Sequence, residues 1–312
     1  MADPTIFTLP AAVGIFSSAV RLATPYLFAA VGESICQSSG VLNLGVDGIM
    51  LMGAYTSFFI TLSTGSLWLG VLAAMVVGLL MGLLMSVISV SLKAEQGISG
   101  IGLYMFGLGL SSLLFKVTVG TVKTVVGFQP IKIPILGDIP VLGEILFHQS
   151  LPVYAAFLVV PLAWWFLDKT TWGLKIKAVG HTPAAADSLG VSVLRVQYVS
   201  VCLGAILAGV AGASLSLAMV NLFQENLTAG MGFIAVALVY FGGWRPVTIM
   251  AGAFLFSFMN ALQLWMQVLA VKIPSDIAVM LPYVLTIAVL AVAHNHEREP
   301  IALNKPFERG EH

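Results

Sequence analysis

Three polar side chains could carry function in an unusual segment, residues 32–50. They are Glu33, Asn43 and Asp47, and they lie among apolar residues and four glycines. The segment is too polar to face lipid and too apolar for a solvated loop. Non-helical backbone survives at membrane depth only against protein or a watery cavity. We therefore predict a broken or re-entrant segment that lines an internal pathway. A tight turn with helix caps is the alternative.

A second group of polar side chains consists of carboxamides in the apolar run 247–270. Gln263 and Gln267 lie three and seven positions after Asn260, which places the three side chains on one face of a helix. Such a face could line a path for a polar solute, with Asn260 and Gln263 as the candidates. The alternative is that these amides hydrogen-bond to a neighbouring helix.

Glu225 is the only charged residue between Arg195 and Arg245. Ionisable groups inside a membrane are functional candidates by default. However, Glu225 falls where two predicted helices meet, so we expect an exposed side chain at the tip of a turn.

The sequence offers few residues suited to catalysis or to cofactor binding. The chain has no phosphate-binding Gly-x4-Gly-Lys-Ser/Thr motif, and Ser214 has no histidine in a predicted span to act as its base. Cys36 and Cys202 suit buried reduced thiols better than a disulfide or a metal site. Fourteen basic and fourteen acidic residues cancel, which gives no strong field for nucleic acid. We therefore expect no enzyme, no metal and no cofactor, but a passage for a neutral or zwitterionic solute that is powered elsewhere.

The elements that must position these residues are membrane helices. Only 9% of the 312 residues are charged, against about 25% in soluble domains. No Lys, Arg, Asp or Glu occurs in five long runs, residues 48–92, 97–115, 145–167, 246–271 and 277–293. Runs of about 20 such residues span a bilayer. The sequence therefore predicts an all-α polytopic membrane protein with one transmembrane domain over residues 1–312.

We predict nine transmembrane helices. Their ranges are 9–31, 45–62, 67–91, 98–116, 151–167, 197–220, 227–243, 247–270 and 276–293. The amino-terminal residues lack the basic region of a cleavable signal, so we expect the first helix to be retained. Gly78 with Gly82, and Gly204 with Ala208 and Gly212, follow the spacing of closely packed membrane helices.

The loop 168–196 and the tail 294–312 are rich in Lys and Arg, which places both in the cytoplasm. Four spans separate them, as this orientation requires, and the amino terminus then lies outside. Residues 117–150 carry Lys123 and Lys132 but fall on the outer side. Their prolines and glycines predict a long structured loop rather than a helix.

A short helix is predicted inside the loop 168–196. Thr182-Pro183 suits its start and Gly190 suits its end. Asp187 is its one acid and Leu189 its one large apolar side chain. Seven residues are marginal as a free helix in water. An exposed helix with an apolar knob therefore suits a groove on a partner, and a stub lying at the lipid surface is the alternative.

Three segments together resemble the permease subunits of ABC-type importers of the branched-chain amino acid/ribose type, and most closely the simple-sugar and nucleoside permeases. They are Glu33 to Ala54 with "SSGVLNLGVDGIMLMGA", residues 172–197 with "WGLKIKAVGHTPAAADSLGVSVLRVQ", and residues 230–257 with "GMGFIAVALVYFGGWRPVTIMAGAFLFS". The third resembles the nucleoside branch more than the ribose branch. The similarity runs in order over most of residues 10–293.

The resemblance implies a function and a set of partners. The chain would form half of a pathway in the bacterial cell (inner) membrane, most plausibly for nucleosides, with simple sugars or branched-chain amino acids as alternatives. Its partners would be an ATPase subunit, a second and non-identical permease, and an external substrate-binding protein. Residues His181, Thr182, Pro183, Ala184, Ala185, Asp187, Leu189 and Gly190 would form the coupling helix that contacts the ATPase. A secondary transporter or channel that works alone is the alternative from another class.

Overall fold

The computed structural model describes residues 9–134, 136–268 and 299–308, and also Met280, Val284 and Ile287. The helices before the basic loop are α1 (Leu9–Ser38), α2 (Val46–Thr64), α3 (Leu67–Ser86), α4 (Gln96–Thr118), α5 (Leu142–Leu146) and α6 (Leu151–Lys169). Those that follow are α7 (Thr171–His181), α8 (Pro183–Ser188), α9 (Val193–Ser214), α10 (Met231–Phe241) and α11 (Pro246–Val268). Helices α3 and α9 continue as π turns, Val87–Ser91 and Leu215–Met219.

Seven of the described helices are long and apolar enough to cross a membrane, namely α1, α2, α3, α4, α6, α9 and α11. The predicted all-α polytopic architecture is therefore confirmed. The predicted span 227–243 is wrong in length, because α10 has only 11 residues. Such a helix is about 16 Å long, half of the hydrocarbon core. The predicted span 276–293 lies outside the described residues.

The long helices form an inner and an outer group. In α1, α2 and α9, 67–72% of the most apolar 18-residue window is buried. In α3, α4, α6 and α11 the buried share is only 28–33%. The outer helices are thus left with faces for lipid or for another subunit, while α9 packs between α1, α2 and α3.

Glycines permit the close approach of α9 to its neighbours, as their spacing predicts. A Cβ atom on Gly204 would lie 2.7 Å from the carbonyl oxygen of Gly32, and one on Gly78 would lie 2.5 Å from that of Ala205. In lipid, this backbone contact replaces the hydrophobic drive that holds soluble helices together.

We expect Gly204→Ala to lower the free energy of unfolding by about 1–3 kcal/mol, because the added methyl group has no room. Gly109→Ala in α4 is the matched control, since a Cβ atom there meets nothing within 4 Å. Thermal unfolding of the two purified variants in one detergent measures the difference. Equal transition temperatures would contradict this packing.

The predicted broken segment at residues 32–50 is largely wrong. Helix α1 continues through Ser38 and α2 begins at Val46, which leaves only residues 39–45 non-helical. The amide and carboxylate side chains of this segment do not interrupt the helices, because each has a buried hydrogen-bond partner. The short loop itself is almost wholly buried, as expected of irregular backbone inside a membrane protein.

Residues 119–150 form the predicted structured loop. It contains β1 (Pro130–Lys132) and β2 (His148–Ser150), which pair antiparallel with Ile131 opposite Gln149, and the one-turn helix α5 between them. The loop is tied to the bundle at Gln149, whose amide bonds to Ser17 and accepts a bond from Arg21.

Candidate functional site

A short helix with a non-helical lead-in lies at residues 221–241, whereas residues 32–50 contain only the short loop 39–45. Near the end of α4, Lys116 pairs with Glu225, which is 47% exposed as expected for the tip of a turn. From there the chain runs without helix to Gly230, and α10 begins at Met231. Gly232 packs against Asp47, and the adjacent Gly48 meets α4 at Gly107. That contact is about 13 Å along α4 from Lys116, so α10 begins well inside the bundle rather than at the end that carries Lys116.

Asp47 holds the amino-terminal end of α10. Its Oδ1 accepts a hydrogen bond of 2.7 Å from the backbone N–H of Gly232, and its Oδ2 accepts one of 2.9 Å from the Thr228 hydroxyl. The Asp47 side chain has no exposed surface. A carboxylate at a helix amino terminus satisfies N–H groups that have no acceptor within the helix. Helix α10, which we call the half-helix because it is about half as long as the hydrocarbon core is thick, is therefore capped by a side chain from α2.

Glu33 and Gln37 hold the other end of α10. Trp244 lies just after this helix and donates from Nε1 to Gln37 Oε1 at 2.9 Å. Gln37 donates in turn to Glu33 Oε1 at 3.0 Å, and the same oxygen accepts from the Asn43 backbone at 3.0 Å. Trp244 has φ of 57°, a left-handed conformation that bulky residues seldom adopt, so its position depends on these contacts.

We call Glu33, Gln37, Asp47, Thr228 and Trp244 the polar clamp. Its members are at most 9% exposed. It joins the start of α2 and the end of α1 to both ends of the half-helix. Separating α10 from the ends of α1 and α2 would therefore leave buried polar groups without hydrogen-bond partners, which lowers the stability of the fold.

The predicted short helix in the basic loop is present as α8. Thr182 precedes it, Pro183 opens it, and Gly190 follows it with φ of 82°. Ala186 is buried and Asp187 is half-buried, whereas Leu189 is 84% exposed. Ala184 and Ala185 are exposed on the same turn, and His181 is the exposed last residue of α7. The predicted local structure is thus confirmed, and its contact with an ATPase stays a prediction.

Helix α7 connects α8 to the end of α1 and the α1–α2 loop, next to the polar clamp. Gly180 lies so close to Ser38 that a side chain there would meet the Ser38 carbonyl oxygen. The tail meets the same place: Ala302 N donates to Gly180 O at 2.9 Å and Asn304 N to Gly40 O at 3.2 Å. A displacement of α8 would thus reach the α1–α2 loop through direct backbone contacts.

Glu95 and Gln96 hold the start of α4 beside the same loop. Gln96 Oε1 accepts from Leu42 N at 2.8 Å. Glu95 caps α4, and hydrogen bonds from the N–H groups of Ile98 and Gly97 lower its pKa below 4.5. Because the pKa of Glu95 is lower in the folded than in the unfolded chain, the ionised cap stabilises the fold at pH values above the ordinary pKa of a glutamate. That contribution is lost as the pH falls through the lowered value.

The carboxamides of α11 lie at the surface of this chain. Asn260 and Gln263 are half-buried and Gln267 is exposed. Asn260 Nδ2 approaches the Tyr26 hydroxyl at 3.5 Å, the long limit of a hydrogen bond, and Gln263 makes no bond to another described residue. Unlike Glu33, Asn43 and Asp47, which are buried inside the chain, these amides could face a solute or a second subunit.

Sequence reasoning missed Thr228, Gly232 and Trp244. The signal was the composition of residues 228–232, Thr-Ala-Gly-Met-Gly, which is a poor start for a membrane helix. The polar partner of that break, Asp47, lies 181 residues away from Thr228 along the chain, so their pairing could not be inferred from spacing.

The described residues contain no group of three or more metal-ligating side chains. Ser214 donates to the backbone of its own helix, at Ala211 O, and is buried. It is therefore engaged as a helix residue rather than presented as a nucleophile.

Comparison with known proteins gives one family and several relatives. Residues 15–290 match the family described as branched-chain amino acid transport system / permease component. A protein of Haloferax volcanii, provisionally named a glucose ABC transporter permease, is 38% identical, covering 90% of this chain and 92% of its own length. No solved structure gives a significant match.

Two further relatives are permeases named for nucleosides. A guanosine ABC transporter permease of Bacillus subtilis is 35% identical, covering 92% of this chain and 94% of its own length. A nucleoside ABC transporter permease of Lactococcus lactis is 35% identical, covering 89% and 91%.

Proposed function

Because this chain belongs to the family of branched-chain amino acid transport system permease components, we propose that it forms half of the translocation pathway of an ATP-driven importer of nucleosides. Its partners in this proposal are an ATP-binding cassette subunit, a second and non-identical permease, and an extracytoplasmic substrate-binding protein. ATP is hydrolysed on the separate ATPase, and this chain is a passive gate.

The observation that carries the proposal is the exposed, non-helical segment 224–230 ahead of α10. Asn226 and Ala229 are exposed, although the segment descends beside α2 and α4. Lipid does not tolerate irregular backbone, whose N–H and C=O groups need partners. The segment must therefore face water or another subunit, as a pathway between two permeases requires. Broken helices mark solute sites in other transporters for the same reason.

Energy enters at α8 in this proposal. ATP binding draws two ATPases together and displaces α8 and α7, which contact the α1–α2 loop at Ser38 and Gly40. The polar clamp passes the displacement to both ends of α10. Access then alternates because the bound ATPase favours one arrangement of the half-helix over the other.

The topology that fits this mechanism has nine crossings in one permease domain of residues 1–312. Seven are the long helices, one is segment 221–241 with its half-helix, and one is residues 276–293. The basic loop 168–196 and the tail 294–312 lie in the cytoplasm, and the chain resides in the bacterial cell (inner) membrane.

Nucleosides are the proposed solute for two reasons. The names of two relatives specify them, and α10 carries an exposed aromatic ring. Phe233 is 37% exposed and packs edge-on against Tyr104, with ring centroids 5.1 Å apart. Phe223, by contrast, is fully buried and belongs to the packing. The name of the Haloferax relative supports simple sugars as the second candidate.

We expect Phe233→Ala to raise the half-saturation concentration for a purine nucleoside about tenfold, because stacking on an aromatic ring is worth about 1–3 kcal/mol per base. Phe106→Ala is the control, since Phe106 is also exposed (49%) but lies on a different face of α4 from Tyr104, the ring that Phe233 contacts. Uptake at graded nucleoside concentrations measures both. An equal effect in the two variants would remove Phe233 from the pathway.

The solute is tested by competition. Membrane vesicles that contain the complete importer take up a labelled nucleoside, and unlabelled nucleosides, glucose and branched-chain amino acids are added in excess. We expect only nucleosides to compete. Competition by glucose alone would assign the chain to sugar transport.

A further inference from the structure

A large cavity lies at the end of the bundle that carries α8. Its volume is about 580 Å³. The end of α6, the helix α7 and the bend between α10 and α11 enclose it, and its lining includes Trp164, Asp168, Lys177, His181, Arg245 and Val247. We call it the elbow cavity. It is separate from the polar clamp, with which it shares only Trp244.

The charged groups of the elbow cavity favour an anion. Lys177 and Asp168 form an ion pair with each other. Arg245 is exposed and has no ion-pair partner among the described residues, and His181 stands on the same lining. Glu299 lies next to the lining residue Pro300 but is not itself part of the lining. The planar guanidinium offers paired donors that match a phosphate group.

The walls of the elbow cavity also suit a lipid. Trp164 is 41% exposed and Val247 is 52% exposed, and both lie in helices that cross the membrane. The cavity thus opens on the surface where acyl chains lie. Lys169 stands 5.6 Å from the Trp164 ring, an arrangement typical of the boundary between membrane and water. A soluble ligand would need no such apolar side.

We propose that the elbow cavity binds the phosphodiester headgroup of an anionic phospholipid from the cytoplasmic leaflet. Basic pockets between membrane helices are suited to such headgroups. A headgroup held here bridges α7, which carries the coupling movement in the proposed function, and the bend between α10 and α11. The cytoplasmic placement rests on the proposed function, whereas binding itself is a property of this chain alone.

Lipid retention by the purified chain tests this proposal without any ATPase or solute. The chain is exchanged into nanodiscs of phosphatidylcholine and phosphatidylglycerol, released into mild detergent, and its bound lipids are counted by native mass spectrometry. We expect selective retention of phosphatidylglycerol. Arg245→Gln should lower that selectivity about fivefold, the effect of one basic residue near anionic lipid. Lys175→Gln is the control, because it also removes one positive charge, from a residue of α7 that does not line the cavity.

Three outcomes would overturn the proposal. Equal loss of selectivity in Arg245→Gln and Lys175→Gln would indicate general surface charge rather than a site. Displacement of phosphatidylglycerol by inorganic phosphate in excess would assign the cavity to a soluble anion. Equal retention of the two lipids by the unaltered chain would leave no headgroup site. Unfolding temperatures of both variants verify that each chain remains folded.

Discussion

The double substitution Asp187→Ala and Leu189→Arg should abolish ATP-dependent uptake by the complete importer. Leu189 is 84% exposed at the end of α8, where a partner's groove would cover it. Placing an unpaired charge in a closed apolar groove costs several kcal/mol. We therefore expect uptake to fall at least about a hundredfold, while the external receptor still binds its solute. Uptake into proteoliposomes and solute binding to the isolated receptor are the two measurements.

Leu142→Arg is the matched control for α8. Leu142 is also an exposed leucine (52%), but it lies in α5 at the opposite end of the bundle. Uptake by this variant should stay close to that of the unaltered chain. Unchanged uptake in the α8 variant would remove α8 as the point where energy enters.

Asp47→Ala should be strongly destabilising. It removes both acceptors that hold α10, and leaves the Gly232 N–H and the Thr228 hydroxyl buried without partners. Each unsatisfied buried group costs about 1–3 kcal/mol, so the free energy of unfolding should fall by about 2–6 kcal/mol. Thermal unfolding of the purified chain measures the loss.

Asp47→Asn separates the cap from the simple presence of a side chain. Its carbonyl oxygen can still accept from Gly232, and the Thr228 hydroxyl can turn to accept from the new amide. Most of the stability should therefore return. Asp168→Ala is a second control, because its ion pair with Lys177 is exposed and such pairs contribute about 0–1 kcal/mol. An Asp47→Ala chain as stable as Asp168→Ala would contradict the capping role.

Local features of this fold were predictable from the sequence because their causes are local. Charge-free runs of membrane length predicted the long helices, and Pro183 and Gly190 indicated the two ends of α8. The glycines of α9 gave its close packing, since only small residues permit backbone contact. The structured loop at 119–150 followed from its prolines and glycines.

The position of the short helix α10 and of the break ahead of it was not predictable in the same way. Glu33 and Asp47 were predicted to lie in a broken segment, yet they lie in intact helices and hydrogen-bond to groups at the two ends of another helix or to their neighbours there. That break needs Asp47 beside Gly232, which are 185 positions apart. Only tertiary packing joins Asp47 and Gly232, so periodicity and local spacing could not indicate which segment of the chain contains the break.

The most direct test of the whole account is the energy source of transport in proteoliposomes of defined composition. With the second permease, the ATPase and the external receptor present, uptake of a nucleoside should require ATP and persist after every ion gradient is collapsed. The purified chain alone should accumulate nothing against a gradient. Uphill transport by this chain alone, driven by an ion gradient without nucleotide, would contradict the account.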